Sequence, residues 1–198
     1  MKIVKTIFFR FDDICLNTDM KLVNDMCEFI LEAVKNSKII LCLSPLVHDM
    51  SYEEGKHKQR IFPAILNAHS DYRLFFNVDH AGFPLPDINS LKLNKNIILA
   101  SHALVHVDHR LLTKSQQEMS ILISCSLAKS KTFVPPFNKW NKDTELVCEE
   151  NGIQLIKFED GWLSMEHNQY NTEHDKWYLH SREFILEGFK EWFSNVKK

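Results

Sequence analysis

Apolar runs alternate with amphipathic stretches along the chain, and this pattern predicts strands that are followed by helices. Strands are predicted at 6–11, 38–43, 74–78, 96–100, 131–134, 153–158 and 177–179. Helices are predicted at about 19–35, 59–67, 113–129, 143–150 and 181–196. Alternation of this kind is typical of an α/β protein with parallel strands.

Local signals mark the ends of three predicted helices. Asn17 and Thr18 offer an N-cap for the first helix, because their side chains can accept hydrogen bonds from free backbone N–H groups. Thr113 and Gln116 form the pattern of a capping box. Gly152 follows the 143–150 helix, where a glycine is a natural C-cap.

Polar or proline residues follow four of the predicted strands. They are Asp12-Asp13, His102, Pro135-Pro136 and His180. The carboxyl ends of parallel strands converge on one face of an α/β barrel, so these residues are expected to lie together. We expect a single domain over residues 1–198 with an α/β fold of the (β/α) barrel kind. About seven βα units in 198 residues are compact for a closed barrel, so closure is expected to be incomplete.

The acid pair and two histidines are the candidate chemical centre. Asp12 and Asp13 end an apolar strand, where two carboxylates are costly to bury unless they meet a metal, a cation or a reaction. His102 and His106 are four apart, a spacing that places both imidazoles on one helical face. One carboxylate and two histidines are a usual ligand set for a catalytic divalent metal. The pattern indicates a metal-assisted hydrolase. His109 continues the same spacing and is a candidate fourth ligand, but a supporting or surface position is favoured because the acid already completes a set of three ligands.

Each of these signals also has a plainer interpretation when it is taken alone. Adjacent acids are common in solvated turns after strands, and two histidines four apart occur on surface helices without a ligand. His180 taken alone is also consistent with a strand-end residue that has no chemical role. Asp79-His80 is a candidate substrate contact, but an ordinary loop is favoured. The metal hypothesis depends on the acids and histidines occurring together.

Net charge and cysteine content limit the classes of binding partner and the cellular compartment that we expect. A formal net charge of -2 argues against a nucleic-acid surface, which would normally be basic. The five cysteines are odd in number and form no Cys-x-x-Cys motif, a pattern that fits a reducing compartment. The chain enters its first strand at once, and no apolar run approaches the ~20 residues of a membrane span. We expect a cytoplasmic monomer or homodimer.

Five segments in order resemble motifs of the polysaccharide deacetylase family. They are Phe11-Asp12-Asp13, Ser101 to His106, Leu112-Thr113 with the helix that follows, Phe133-Val134-Pro135-Pro136-Phe137, and Leu179-His180-Ser181-Arg182. The family consists of metal-dependent carbohydrate esterases that remove acetyl groups from N-acetylated sugars, and its fold is a distorted, usually incomplete (β/α) barrel. The resemblance spans most of the chain.

The resemblance implies roles for six residues. Asp12 would be the general base and His180 the general acid. One divalent metal ion, with zinc expected, would be bound by Asp13, His102 and His106. The backbone N–H of Phe137 would donate to the oxyanion. Substrate contacts are expected at Pro136, Asn138, Trp140 and Trp162. The expected partner is an N-acylated sugar, either a monomer, a nucleotide-linked sugar or a short glycan.

The chain departs from the family at the proline motif. Val134 stands where the family usually carries an arginine that tunes the catalytic base, and the nearest cations in sequence are Lys131 and Lys139. The departures suggest an outlying subfamily, similar to enzymes that modify surface-polysaccharide sugars, as in O-antigen or lipopolysaccharide biosynthesis. Two other hypotheses are a non-catalytic barrel that binds carbohydrate or metal, and another metal hydrolase such as a phosphoesterase.

Overall fold

A computed structural model describes residues 5–14, 18–44, 88–104, 106–165, 174–180, 190–191 and 193–194. The strands in this part of the chain are β1 (Ile7–Ile14), β2 (Ser37–Leu43), β3 (Ile97–Ser101), β4 (Thr132–Phe133), β5 (Gln154–Leu155), β6 (Leu163–Ser164) and β7 (Lys176–His180). The helices with both ends in this part of the chain are α1 (Met20–Ala33), α2 (Lys114–Leu127) and α3 (Lys142–Glu150), and the described residues at 190–191 and 193–194 are also helical. Four short 3-10 turns cover Ile88–Ser90, His109–Leu111, Pro136–Asn138 and Phe158–Asp160.

The seven strands of the described residues form one parallel sheet in the order β5-β4-β3-β2-β1-β7-β6. The sheet curls into a half-barrel with helices, so the prediction of an incomplete (β/α) barrel is confirmed. Because all strands run the same way, their carboxyl ends share one edge. Strand β1 lies between β2 and β7, so its carboxyl end is in the interior of that edge.

The two faces of β1 have different surroundings. Phe9 and Phe11 are fully buried in the core that includes the apolar face of α1. Arg10 and Asp12 alternate with them and so point to the opposite, inner face of the curved sheet. The same face carries an apolar cluster that includes Ile40, Cys42, Ala100, Val134 and Trp162.

The sequence predicted that the first strand ends before the acid pair. In the structure, β1 continues through Asp12 and Asp13 to Ile14. The pairing of β1 with β2 shifts its register between Phe11 and Ile14, which is the mark of a bulge. Asp13 lies in this bulge with a left-handed backbone, at a φ of 61°. Two consecutive residues of a regular strand point to opposite faces, and the bulge changes that rule for Asp13.

The helix ends follow the sequence signals with one correction. Asp19, and not Asn17 or Thr18, caps α1, because its carboxylate accepts from the backbone N–H groups of Lys21 and Leu22 at 2.9 and 3.2 Å. The capping box of Thr113 with Gln116 at the start of α2 is confirmed.

The end of α3 agrees with the expected glycine, since Gly152 follows it with a φ of 62°. The short strand β6 was not predicted, and it forms by pairing with β7. The predicted helix at 59–67 and strand at 74–78 lie outside the described residues, as do Asp79 and His80. No helix in the described ranges is long and apolar enough to cross a membrane.

Candidate metal centre

Three ligand-type side chains meet at the carboxyl edge of the sheet. Oδ1 of Asp13 lies 3.2 Å from Nε2 of His102 and 3.1 Å from Nε2 of His106. One ligand atom from each residue lies within 4.8 Å of the other two. Asp13 comes from the bulge of β1, and the histidines follow β3, two strands away in the sheet.

The two histidines are brought together by a loop and not by a helical face. Residues 102–104 and 106–108 form neither helix nor strand, so the prediction of a shared helical face is wrong. Ala103 adopts a left-handed backbone with a φ of 66°, a conformation found in neither a right-handed helix nor a strand. The loop thereby gives the i and i+4 imidazoles the proximity that a helix would have given.

Buried serines hold the first part of this loop. The His102 N–H donates to the Leu43 carbonyl at 2.7 Å, and the Ser44 hydroxyl donates to the His102 carbonyl at 3.1 Å. The Ala103 N–H donates to Oγ of Ser101 at 3.3 Å, and that hydroxyl in turn donates to Oγ of Ser124 in α2 at 2.6 Å. The loop is therefore tied both to β2 and to α2.

The orientation of the His102 ring suits a metal ligand. Nδ1 lies 2.8 Å from the Val134 carbonyl oxygen, which can only accept, so Nδ1 carries a proton and Nε2 is the ring nitrogen that a metal can use. His102 is buried, and His106 is partly open to solvent and packs its ring on Phe137 at a centroid distance of 4.3 Å. Both Nε2 atoms are thus directed at the Asp13 carboxylate.

The donor set fits a divalent cation. Asp13 Oδ1 is buried and accepts no aligned hydrogen bond within the part of the chain that the structure describes. Tetrahedral zinc with ligands at about 2.0–2.1 Å holds neighbouring ligand atoms roughly 3.3 Å apart, close to the spacing of Asp13 Oδ1 from each histidine nitrogen. Burial alone would raise the pKa of the Asp13 carboxyl, but His106 and His102 outweigh it and hold that pKa well below its usual range. An anionic carboxylate with two imidazoles leaves one tetrahedral position open.

Asp12 is held by a cation that sequence reasoning missed. Nε and Nη2 of Arg10 donate to Oδ1 and Oδ2 of Asp12, each at 2.8 Å, and both side chains are buried. Burial alone would raise the pKa of the Asp12 carboxyl, but the Arg10 charge, with help from His102, outweighs it and lowers that pKa. The signal was the i, i+2 spacing of an arginine and an aspartate in an apolar strand, which puts both on one face.

Aromatic rings enclose the Arg10 guanidinium. Its central carbon lies 4.8 Å from the Trp162 ring centroid and 5.0 Å from that of Tyr178, distances at which a cation is attracted to a ring. Nη1 is buried with no hydrogen-bond partner among the described residues, so the rings are its main compensation. Arg10 thus brings a positive charge to Asp12 although Val134, at the position of the expected arginine, is an apolar core residue.

The proline turn stands beside these side chains in an unusual backbone conformation. Phe137 and Asn138 are consecutive left-handed residues, with φ values of 57° and 54°. Oδ1 of Asn138 accepts from Nη2 of Arg10 at 2.7 Å. The Phe137 ring is 41% exposed and covers one side of His106. The turn therefore borders both the acid pair and the histidines.

The remaining predicted site residues lie around this centre in different ways. His180 ends β7, and its backbone is the register partner of Asp12. Pro136 is buried, and Trp140 is half-buried with Lys157 Nζ at 5.9 Å from its ring centroid. Trp162 is only 4% exposed and covers Arg10, so the structure gives it a packing contact with the guanidinium in place of an open face for a sugar.

His109 is a core residue and not a surface one. It is fully buried, with its ring edge against Phe133 at a centroid distance of 5.2 Å. Nδ1 lies 3.2 Å from the Val107 carbonyl oxygen. Burial lowers the pKa of His109 to about 4. It is therefore neutral at physiological pH and lies beside the candidate ligands without joining them.

Comparisons with known proteins support the fold class. No family model matches the sequence, and no curated protein matches it. Among solved structures, the chain is similar to known members of carbohydrate esterase family 4, at identities that identify a shared fold and not a shared activity. The described sheet and these neighbours together define an incomplete (β/α) barrel.

Two of these structures can be named. One is a wild-type family 4 pseudoenzyme from Bacillus anthracis, with a TM-score of 0.54 and 9% identity, covering 98% of this chain and 61% of that chain. The other is a family 4 carbohydrate esterase from Streptomyces lividans in complex with acetate, with a TM-score of 0.51 and 11% identity, covering 98% of this chain and 88% of that chain. The chain thus spans about 61% of the length of the pseudoenzyme.

Proposed function

We propose that this protein is a metal-dependent hydrolase that removes an acetyl or related acyl group from an N-acylated sugar. The observation that carries the proposal is the meeting of Asp13, His102 and His106 at the carboxyl edge of the sheet, with the ionised Asp12 next to them. This arrangement offers a cation site with an open position beside a second carboxylate.

Asp13 and the two histidines would hold the ion, with zinc as the expected metal. A bound divalent metal supplies Lewis-acid polarisation of an acyl oxygen and lowers the pKa of a coordinated water toward ~7. Asp12 would take a proton from the attacking water, a role that contributes typically ~10²–10⁴-fold. The Phe137 N–H would donate to the oxyanion, which is worth roughly 3 kcal/mol in known cases. His180 would protonate the departing amine.

The substrate class follows from the resemblance and from the surroundings of the site. An N-acylated sugar would approach over the exposed Phe137 ring, with Pro136, Asn138 and Trp140 nearby in sequence. Aromatic side chains stack well on pyranose rings. We propose a monomeric, nucleotide-linked or short glycan substrate, in the cytoplasm, and a role in surface-polysaccharide biosynthesis.

A second candidate function is a barrel that binds a carbohydrate or a metal without turnover. Both carboxylate oxygens of Asp12 are engaged by Arg10, and the chain is similar in fold to a solved pseudoenzyme. A carboxylate with a lowered pKa and two occupied oxygens is a weaker base than a free one. Under this hypothesis the metal site would remain, and hydrolysis would be absent.

A phosphoesterase is a third candidate. In the described ranges, Asp13, His102 and His106 are the one cluster of three ligand-type residues. Two-metal phosphate chemistry needs a second ion about 3.5–4 Å away with ligands of its own. Asp12 is paired with Arg10 and does not offer such a second site, so the observations favour the acyl hydrolase.

One comparison of purified proteins distinguishes the three functions. Wild type and His102→Ala are loaded with zinc or cobalt, their metal content is measured, and each is assayed for acetate release from N-acetylglucosamine oligomers and phosphate release from p-nitrophenyl phosphate. We expect one ion per wild-type chain, acetate release that His102→Ala loses, and no phosphate release. One bound ion with neither product would support the binding barrel, and phosphate release alone would overturn the proposal.

A further inference from the structure

The Arg10 guanidinium joins two segments that are distant in sequence. Nη2 donates to Oδ2 of Asp12 on β1 and also to Oδ1 of Asn138, 128 residues away in the proline turn. Nε completes the grip on Asp12 through Oδ1. One planar group thus contacts both the proposed base and the turn that carries the proposed oxyanion donor.

The guanidinium is well suited to fix distances because it is itself fixed. It has no solvent exposure, and the rings of Trp162 and Tyr178 lie within 5.0 Å of its central carbon. A planar fork with two occupied edges has little rotational freedom left. Arg10 therefore acts as a rigid spacer between β1 and the turn.

The proline turn needs such support. Left-handed backbone costs roughly 1–2 kcal/mol for a residue such as Phe137 and less for an asparagine, and Phe137 is followed directly by the left-handed Asn138. Within the turn, the Asn138 N–H donates to the Pro135 carbonyl at 3.1 Å and the Lys139 N–H donates to the Pro136 carbonyl at 3.1 Å. The Asn138 side chain adds the bond that ties the turn to the sheet.

We propose that Arg10 and Asn138 form a clamp that positions the Phe137 turn relative to Asp12. Its catalytic consequence rests on the proposed function, whereas its structural consequence does not. Asn138 is then a positioning residue, although the sequence suggested a substrate contact. Asparagine suits this position because it tolerates left-handed backbone and also offers a side-chain acceptor.

Asn138→Gly isolates the clamp from backbone strain. Glycine adopts the left-handed conformation without cost, so the variant loses only the acceptor for Arg10. We expect the hydrogen exchange of the amides at 138 and 139 to become about 10-fold faster or more, with metal content unchanged. We also expect kcat for acetate release to fall about 10-fold or more, with KM changed less than about 2-fold. Asn138→Asp keeps an acceptor and should restore slow exchange.

A second variant, Arg10→Lys, serves as a control for the backbone flexibility that glycine itself introduces. In Arg10→Lys the fork is lost but the charge remains, and adding Asn138→Gly should not speed exchange further, because the two residues act as one unit. Equal acceleration by Asn138→Gly in the wild-type and Arg10→Lys backgrounds would mean that glycine alone is the cause, and it would overturn the clamp.

A matched asparagine lies far along the sheet from the turn. Asn36 is also left-handed, with a φ of 61°, and its Nδ2 donates to Lys5 and Thr6 before β1. Asn36→Gly should leave exchange at 138 and 139 and acetate release unchanged. Unchanged exchange in Asn138→Gly refutes the clamp. Faster exchange in Asn138→Gly, in a protein whose wild type releases no acetate, supports the clamp and refutes the proposed function.

Discussion

Asp12 and Asp13 are consecutive residues of β1, yet their carboxylates meet different regions of the molecule. Asp12 is enclosed on the inner face of the sheet, with both oxygens held by Arg10. Asp13 reaches two histidine nitrogens that do not satisfy its buried Oδ1 by aligned hydrogen bonds. The bulge at Asp13 creates this difference, because it turns the second carboxylate toward the edge of the sheet.

Two consecutive aspartates therefore differ in what they can bind: Asp12 is fully engaged in an ion pair with Arg10, whereas Asp13 is still able to bind a cation. An ion pair between β1 residues fixes the position of Asp12 before any ligand arrives. Asp13 has spare capacity for a cation because its protein partners are potential ligands themselves. The following predictions remove one side of the comparison at a time.

Removing the Asp13 carboxylate, the candidate metal ligand, should have the largest effect. In Asp13→Asn the site keeps two histidines but loses its anionic ligand, so we expect metal content to fall below one ion per two chains. Turnover should fall by roughly 10³-fold, since Lewis-acid stabilisation is worth several kcal/mol. Elemental analysis and acetate release measure the two quantities. Asp25→Asn, which removes a half-buried carboxylate paired with Lys21, should change neither. Full metal content in Asp13→Asn would contradict the assigned ligand.

Breaking the ion pair between Arg10 and Asp12 should mainly lower the free energy of unfolding. In Arg10→Met the Asp12 charge is buried without its partner, and breaking a buried pair in this way costs about 3–5 kcal/mol of unfolding free energy. The double variant Arg10→Met/Asp12→Leu should regain most of that loss, because no lone charge remains. Urea unfolding of metal-free protein gives the values. A single and a double variant of equal stability would show that the pair is not coupled.

His109 gives a smaller effect that depends on pH. Its folded pKa of about 4 lies below the ordinary value of 6.5, so the unfolded state binds more protons between these values. The stabilisation is full above pH 6.5 and is lost as the pH falls toward 4. Between pH 7 and pH 5 this group should cost the metal-free protein about 2 kcal/mol.

His109→Phe tests this effect because it keeps the ring contact with Phe133 and removes the titration. Its unfolding free energy should fall less than that of wild type between pH 7 and pH 5, by about 2 kcal/mol. The charged neighbours of His109 are the same in both proteins, so the difference between the two pH profiles reports His109. Parallel pH profiles of the two proteins would contradict the assignment to His109.

The smallest effect belongs to the support of the histidine loop. Ser124→Ala removes the acceptor of the Ser101 hydroxyl, and a lost buried hydrogen bond costs about 1 kcal/mol. Metal affinity should weaken a few-fold, since the loop keeps its bonds to β2. The matched control is Ser126→Ala, an exposed serine of the same helix. A loss of stability in Ser126→Ala as large as in Ser124→Ala would assign the effect to the helix and not to the loop.

Features encoded by neighbouring residues could be predicted from the sequence. Strand β1, the capping box at Thr113 and the parallel α/β order depend on local patterns, and the structure contains all three. The convergence of Asp13 with His102 and His106 also agrees with the sequence, because strand ends meet in any parallel sheet.

Features that depend on tertiary context could not be predicted in the same way. The spacing of His102 and His106 predicted a helix, but the two imidazoles are brought together by a loop in which Ala103 has a left-handed backbone. The bond between Arg10 and Asn138 has no local signal, because the two residues are 128 positions apart. Strand β6 has only two residues, and its conformation comes from β7 and not from propensity.

The left-handed residues described above have a thermodynamic consequence. Of the six non-glycine residues with positive φ in the described chain, four lie at the carboxyl edge: Asp13, Ala103, Phe137 and Asn138. Their conformational cost lowers the free energy of unfolding of the ligand-free protein. A ligand that binds only the folded chain adds RT ln(1 + [L]/Kd), which is about 2.7 kcal/mol at 100 times Kd. By mass action, the melting temperature of this protein should therefore rise with the free concentration of its metal, and the folded fraction near that temperature becomes a gauge of metal supply.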